Sequence, residues 1–439
     1  MREPRLAVHR HELNPVHFLE RSGTVQAHRV AVIDGDVSYT WGDFRARSRR
    51  LASALRGNGL RKGNRIAFLA LNSEPLLLAH FGVPQAGGVL VAINTRLSAS
   101  EIAYIVEHSG AGIVFYTPEL ERQLDKIPAS VRRLNTQRDL EEFLTSGTDA
   151  EVESWLEDEN DTITVNYTSG TTGRPKGVMY QYRGCYLNAL AMALDHGLTA
   201  GSSYLWTLPM FHCNGWTFPW ALAAVGARSV CLPRIDPATV WRLFDEAVTH
   251  FCAAPTVFIM LANDAAARRL KRGVRVFTAG APPSPTLIAR MAELNFELDH
   301  VYGLTETYGP FTINVLQPDL AGLAPDQQAR LKAHQGFPNV CAGDVRVVDE
   351  TMRDIPADGQ SMGEVVMRGN VVMSGYFADP EATDSAFTGG WFHMQRQSLV
   401  QQLQCTTTAA LQDFGRTLQS HPDALLPRHP EYHSLCSGQ

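Results

Sequence analysis

Residues 167–177 read Tyr-Thr-Ser-Gly-Thr-Thr-Gly-Arg-Pro-Lys-Gly and follow directly on the apolar stretch 163–165. Glycines let backbone N–H groups turn inward. The hydroxyls of Thr168, Ser169, Thr171 and Thr172 add further donors, and Lys176 supplies a compact positive charge. Such a set builds a concave nest for phosphate oxygens. Its spacing is not the Gly-x-x-x-x-Gly-Lys-Ser/Thr of P-loop nucleotidases, because Gly170, Gly173 and Lys176 sit three apart and Pro175 precedes the lysine. A flexible surface turn would account for glycine and threonine, but not for this ordered alternation of hydroxyl, glycine and cation.

Three further stretches carry chemistry-bearing side chains. In Leu208-Pro209-Met210-Phe211-His212-Cys213-Asn214-Gly215-Trp216 a histidine lies among aromatics, where a hydrogen-bonded packing role is the commoner one. Trp216, Phe218 and Trp220 can wall an apolar pocket or belong to plain core. Gly280-Ala281-Pro282 follows an apparent strand at 274–278, and its small residues permit a flat ring to approach the backbone, although alone it signals only a turn. Tyr302-Gly303-Leu304-Thr305-Glu306 follows another apparent strand at 297–301. Its place downstream of a phosphate nest gives that pentapeptide more weight than it would have by itself.

The run 167–177 closely resembles the phosphate-binding loop of the AMP-forming acyl-CoA synthetases and the wider adenylate-forming superfamily. The other stretches occur in that family's order, over roughly residues 10–393. The resemblance implies a nucleotide site formed by Thr168, Ser169, Gly170, Thr171, Thr172, Gly173, Lys176, Gly280, Ala281, Pro282, Tyr302, Gly303 and Thr305. It implies that Tyr302 stacks on adenine, Thr305 meets a phosphate, Glu306 holds Mg2+ and His212 lies beside the acyl carboxylate. Lys176, Thr305, Glu306 and His212 form the implied catalytic set. The implied reaction joins a carboxylic acid to the α-phosphate of ATP, releases pyrophosphate, and passes the acyl group to coenzyme A. A carboxylate is already ionised, so the first step needs positioning and charge neutralisation rather than a general base. An amino-acid-activating module fits less well, since Cys213-Asn214-Gly215-Trp216 offers no acidic partner for an amino group.

The sequence departs from the family after Trp391-Phe392-His393. Family members continue with Thr-Gly-Asp, whose aspartate binds the ATP ribose, whereas this chain reads Met394-Gln395-Arg396. From Met394 on there are eight glutamines, against ten in the preceding 393 residues, and no lysine. The expectation is an AMP-binding N-terminal domain at 1–393, a non-matching, disordered tail at 394–439, and no family C-terminal domain with its adenylation lysine. Loss of the ribose aspartate should weaken ATP binding about ten- to a hundredfold. Loss of a transition-state cation should cost about two to three further decades of rate, and thioester formation, which in the family uses a rotated C-terminal domain, should suffer more. The alternative is a catalytically silent nucleotide- or acyl-binding protein derived from such a ligase.

The elements that must position these residues alternate. Apolar runs at 65–71, 89–93 and 112–116 read as strands, and 74–85 as a helix. Ser98-Ala99-Ser100-Glu101 is a capping box that opens a helix to about Ser109. After an acidic stretch at 149–161, strands are expected at 227–232, 251–253 and 274–278, with helices at 236–249 and 284–294. That succession predicts an α/β protein of two packed α/β subdomains with mainly parallel sheets, at about 10–160 and 161–334. The alternating text at 335–393 predicts a small, incomplete antiparallel β-barrel-like subdomain.

At 439 residues the chain can bury a large core, and 44% hydrophobic with 19% charged residues is ordinary globular usage. A net charge of -6 argues against nucleic-acid partners, so any phosphate site must be built locally. Seven scattered cysteines without a Cys-x-x-Cys pair, and no apolar signal core, favour a reduced cytoplasmic setting with no integral membrane segment. The expected partner is a small carboxylic acid.

Overall fold

The computed structural model describes residues 9–168, 174–356 and 361–394. Apolar runs too short to form helices become parallel strands in two large sheets. The seven-stranded sheet has the order Gly375–Tyr376, Lys176–Gln181, Thr162–Thr168, Val89–Ala92, Arg65–Leu69, Ile113–Tyr116, Arg132–Asn135. The nine-stranded sheet runs Phe337–Pro338, Gly309–Asn314, Phe296–Leu304, Val274–Thr278, His250–Ala253, Ser203–Trp206, Arg228–Cys231, Val30–Asp34, Val37–Thr40. The middle strands of both pair in parallel; antiparallel strands close both edges of the nine-stranded sheet and one edge of the seven-stranded sheet, whose other edge, Arg132–Asn135, pairs in parallel.

Helices start where side chains can satisfy their first N–H groups. Ser98 and Glu101 exchange hydrogen bonds as a capping box before helix Ala99–Ser109, which stops at Gly110 with φ +64°. Asp236 and Ser284 cap helices Pro237–Glu246 and Pro285–Glu293 from one side, accepting the Thr239 and Leu287 N–H groups. Helix Pro237–Glu246 is shorter than expected because strand His250–Ala253 begins only four residues later. One core, including Phe44, Phe81, Tyr180, Trp206 and Trp220, joins elements of both sheets, and separate cores cover their outer faces.

The sheets do not follow the sequential division at residue 160. Val30–Thr40 adds a hairpin to the nine-stranded sheet, while Thr162–Gln181 belongs to the seven-stranded one. The segment expected as one small β unit is divided three ways. Phe337–Pro338 extends the nine-stranded sheet, Gly375–Tyr376 extends the seven-stranded sheet, and only Gly343–Val348, Glu364–Gly369 and Phe392–His393 form a separate three-stranded antiparallel sheet. The described residues form no closed barrel. Of the expected tail, Met394 is described and is buried against the core; the remainder lies outside the described residues.

Candidate active site

Parallel sheets place ligands outside the carboxyl ends of their strands, where loops diverge. Both sheets do so here around one cleft of about 960 Å³. Thr168 and Lys176 come from the seven-stranded sheet, together with Asn94 and Arg96 from the loop after Val89–Ala92. Thr207 to Pro209, Ala253, Ala254, Ala279, Gly280 and Leu304 to Glu306 come from strand ends of the nine-stranded sheet. A smaller pocket of about 380 Å³ between Lys62, Arg65, Trp155 and Phe377 opens near the strands' amino ends. Its Lys62 is already paired with Glu157 and Asp161, and it gathers no comparable set of polar groups.

Lys176 is the first residue of its strand and pairs in register with Thr168, the last of the preceding one. Ser169, Gly170, Thr171, Thr172 and Gly173 lie outside the described residues. The Lys176 ammonium stands 4.9 Å from the centre of the Tyr376 ring, a cation–π seat. The Tyr376 hydroxyl donates to Glu306 Oε1 at 2.9 Å. Burial pushes the Glu306 carboxyl above its ordinary range, while the Tyr376 hydrogen bond and the Lys176 charge work in the opposite direction. Thr305 is fixed through its carbonyl, which accepts the Tyr180 hydroxyl at 2.6 Å. Tyr180 in turn stacks on Tyr308, with ring centres 4.0 Å apart.

The expected strand at 297–301 continues through Leu304, so Tyr302 and Gly303 are strand residues that pair with Thr312 and Pro310. Gly303 has to be glycine, since a Cβ there would lie 1.8 Å from the Gly309 carbonyl oxygen. Tyr302 is half-buried beside the cleft rather than among its lining residues. Its hydroxyl meets the Met394 sulfur, and burial pushes its phenol up to about 12. Gly280 lines the cleft at φ +89° with open space around it, whereas Ala281 and Pro282 are exposed and do not line it.

His212 lines the cleft beside an unusual backbone. Cys213, Asn214, Gly215, Trp216 and Thr217 have φ of 50°, 50°, 55°, 55° and 63°, one left-handed turn. Left-handed helical backbone costs about 1–2 kcal/mol per residue with a side chain, so the surroundings must impose it. They do so with buried amides. Asn166 Nδ2 donates to Asn214 Oδ1 at 2.6 Å, the Asn214 N–H donates to Asn166 Oδ1 at 3.2 Å, and Asn188 donates to Thr217 Oγ1 at 3.0 Å. A Cβ on Gly215 would come within 2.5 Å of the Trp206 ring. The turn presents His212, Cys213 and Trp216 to the cleft; Phe218 and Trp220 are fully buried core. The Cys213 thiol holds the His212 imidazole above its ordinary value, and Cys213 Sγ lies 3.6 Å from Thr305 Oγ1.

The cleft therefore gathers Thr168, Lys176, His212, Gly280, Gly303, Thr305 and Glu306, and leaves Ala281, Pro282 and Tyr302 at its margin. Asn94, Arg96, Cys213 and Tyr376 also line it and were not selected by motif. Among the described residues no three His, Cys, Asp or Glu side chains gather as metal ligands, and Glu306 is the one carboxylate lining the cleft. That donor set suits a hard divalent cation shared with nucleotide phosphates, which needs only one or two protein carboxylates.

Comparisons with known proteins agree with this geometry. Residues 19–377 match the family model described as AMP-binding enzyme. An acetate–CoA ligase of Humulus lupulus is 40% identical over 424 residues, covering 89% of this chain and 74% of that protein. A 4-hydroxybutyrate–CoA ligase of Metallosphaera sedula is 41% identical, covering 87% of this chain and 73% of that protein. Among solved structures, the inhibitor-bound N-terminal domain of FACL13 from Mycobacterium tuberculosis aligns with a TM-score of 0.78 at 28% identity, over 87% of this chain and 95% of that one. O-succinylbenzoate CoA synthetase of Bacillus subtilis with its acyl-adenylate intermediate aligns with a TM-score of 0.74 at 26% identity, over 86% and 94% of the two chains.

Proposed function

This chain belongs to the AMP-binding enzyme family, among the AMP-forming acid–CoA ligases, and from that premise we propose that it activates a short-chain carboxylic acid as its acyl-adenylate for transfer to coenzyme A. The observation that carries the reading is the convergence of Lys176 and Glu306 on Tyr376, beside Thr305, in a cleft that continues to His212 and Trp216. Phosphates fit the first part and an acid the second.

In this reading Lys176 and the amides after Thr168 hold the outer phosphates of ATP, and Thr305 offers its hydroxyl to the α-phosphate. A Mg2+ bound between Glu306 and the phosphates would supply further charge neutralisation when present. His212 holds the acid carboxylate toward the α-phosphorus through a hydrogen bond from its ring. The displacement then depends on positioning, which is where an intramolecular arrangement gains most. Gly280, with its backbone open to solvent at positive φ, gives the adenine a place to lie against the chain.

A short acid is favoured by Trp216. A Cβ on Gly309 would lie 2.5 Å from the indole, so that ring is packed directly on backbone and closes this side of the pocket. Some relatives are named for short acids, including a peroxisomal acetate/butyrate–CoA ligase of Arabidopsis thaliana at 38% identity, while a benzoate–CoA ligase of the same plant is 36% identical. The test is ATP–pyrophosphate exchange with acetate, butyrate, 4-hydroxybutyrate and longer acids. Exchange with the short acids, abolished in Lys176→Ala, is the expected result; no exchange with any of them overturns the reading. A second reading, nucleotide binding without turnover, is favoured by Met394, whose sulfur engages the Tyr302 hydroxyl where the family continues with Thr-Gly-Asp. ATP binding without exchange would select it.

A further inference from the structure

Tyr376 lies 200 positions beyond Lys176, in a two-residue strand that no phosphate or acid motif includes. That strand pairs with Lys176–Gln181 through Gly375 opposite Met179 and Tyr376 opposite Val178. It is held in place from both sides. The Tyr376 N–H donates to Thr383 Oγ1 at 2.9 Å, in helix Pro380–Ala386, and the Met373 N–H donates to the Glu306 carbonyl at 2.8 Å. The phenol thus reaches Glu306 from a backbone anchored to the lysine's own strand. Its two contacts are of different kinds, a hydroxyl to a carboxylate and a ring face to an ammonium. Burial raises the phenol above its ordinary value, so it remains a donor at every working pH.

We propose that Tyr376 is a positioning residue of the phosphate end of the cleft: its hydroxyl sets the rotation of the Glu306 carboxylate for the cation that accompanies ATP, and its ring seats the Lys176 ammonium beside it. The inference rests on the ATP-dependent reading above and adds to it a residue that acts through two others. The hydroxyl and the ring are separable by substitution. Tyr376→Phe removes the hydrogen bond and keeps the face under Lys176; Tyr376→Leu removes both.

The experiment is calorimetric titration of ATP into the full chain, once with Mg2+ and once with EDTA. In the wild type Mg2+ tightens ATP binding. In Tyr376→Phe that tightening falls about tenfold, the usual effect of losing one hydrogen bond to a charged group, while Mg2+-free binding stays within about twofold. In Tyr376→Leu the Mg2+-free binding weakens as well, by about threefold to tenfold. A purely structural role would lower both titrations together in Tyr376→Phe and would move its thermal midpoint. If Tyr376→Leu does not fold, Tyr376→Phe decides alone. An unchanged Mg2+ effect in Tyr376→Phe overturns the inference and leaves the ATP reading standing, whereas absence of ATP binding in the wild type overturns both.

Discussion

At the end of the cleft proposed for phosphates Lys176 and Tyr376 sit in regular strands, and each charge meets the tyrosine, Glu306 its hydroxyl and Lys176 its ring face. Around His212 and Trp216, the end proposed for the acid, apolar groups dominate the lining beside Arg96, and the backbone between Cys213 and Thr217 is left-handed throughout. The contrast follows from what each ligand part demands. Phosphates are bound by fields and hydrogen bonds, which side chains on ordinary backbone can supply. A small acid offers little to grip, so its end must be shaped, and a reversed turn aims His212 and Trp216 where a right-handed one would not. One end is built from charge and the other from shape.

Substitutions can separate the two. The largest effect is expected from Lys176→Ala, which removes the cation of the phosphate end: exchange should fall by about two to three decades with the KM for the acid nearly unchanged. An equal rise in the acid KM would show that the ends are not independent. Next, Trp216→Leu should shift the ratio of kcat/KM between hexanoate and acetate about ten- to a hundredfold toward the longer acid, measured at saturating ATP. No change in that ratio would remove Trp216 from the pocket wall. Asn166→Ala leaves the buried Asn214 amide without its partner, so a loss of about 1–3 kcal/mol in urea unfolding is expected, with a rise in the acid KM and little effect on ATP binding.

The smallest effect concerns pH. Glu306 must be ionised to hold a cation, and burial already raises its carboxyl, which Tyr376 and Lys176 oppose. Removing the hydroxyl in Tyr376→Phe raises it further, so protonation sets in at a higher pH. The acid limb of kcat/KM for ATP should therefore move to higher pH, while the alkaline limb stays where it was. A limb that moves to lower pH would contradict the stabilising role given to that hydroxyl.

How much of this the sequence disclosed differs between the same two ends. The place of Lys176, Thr305 and Glu306 on one cleft and the capped helices were legible because each is encoded in adjacent residues, while Ser169 to Gly173 lie outside the described residues. The strands at 89–92, 113–116 and 274–278 were legible from their apolar runs. Tyr376 was not, since its role depends on a strand pairing across 198 positions from Val178, and local periodicity carries no such information. The joining of Val30–Thr40 to the second sheet escaped for the same reason. The left-handed turn was hidden because Cys213, Trp216 and Thr217 give no sign of positive φ, and within the turn only Asn214-Gly215 tolerates it readily. One clue existed: Asn166, a polar residue within an apolar strand, which proves to be the clamp on that turn.

The late strand at Gly375–Tyr376 has a consequence for how the protein is made. Ser374 donates its N–H to Met179, 195 positions earlier in the chain, and Glu306 receives its hydroxyl partner from the same stretch. A ribosome adding roughly 5–20 residues per second therefore completes the Lys176 strand about 10–40 s before the segment that finishes its surroundings. During that interval the strand that will receive Gly375–Tyr376 stands as an open edge in need of cover.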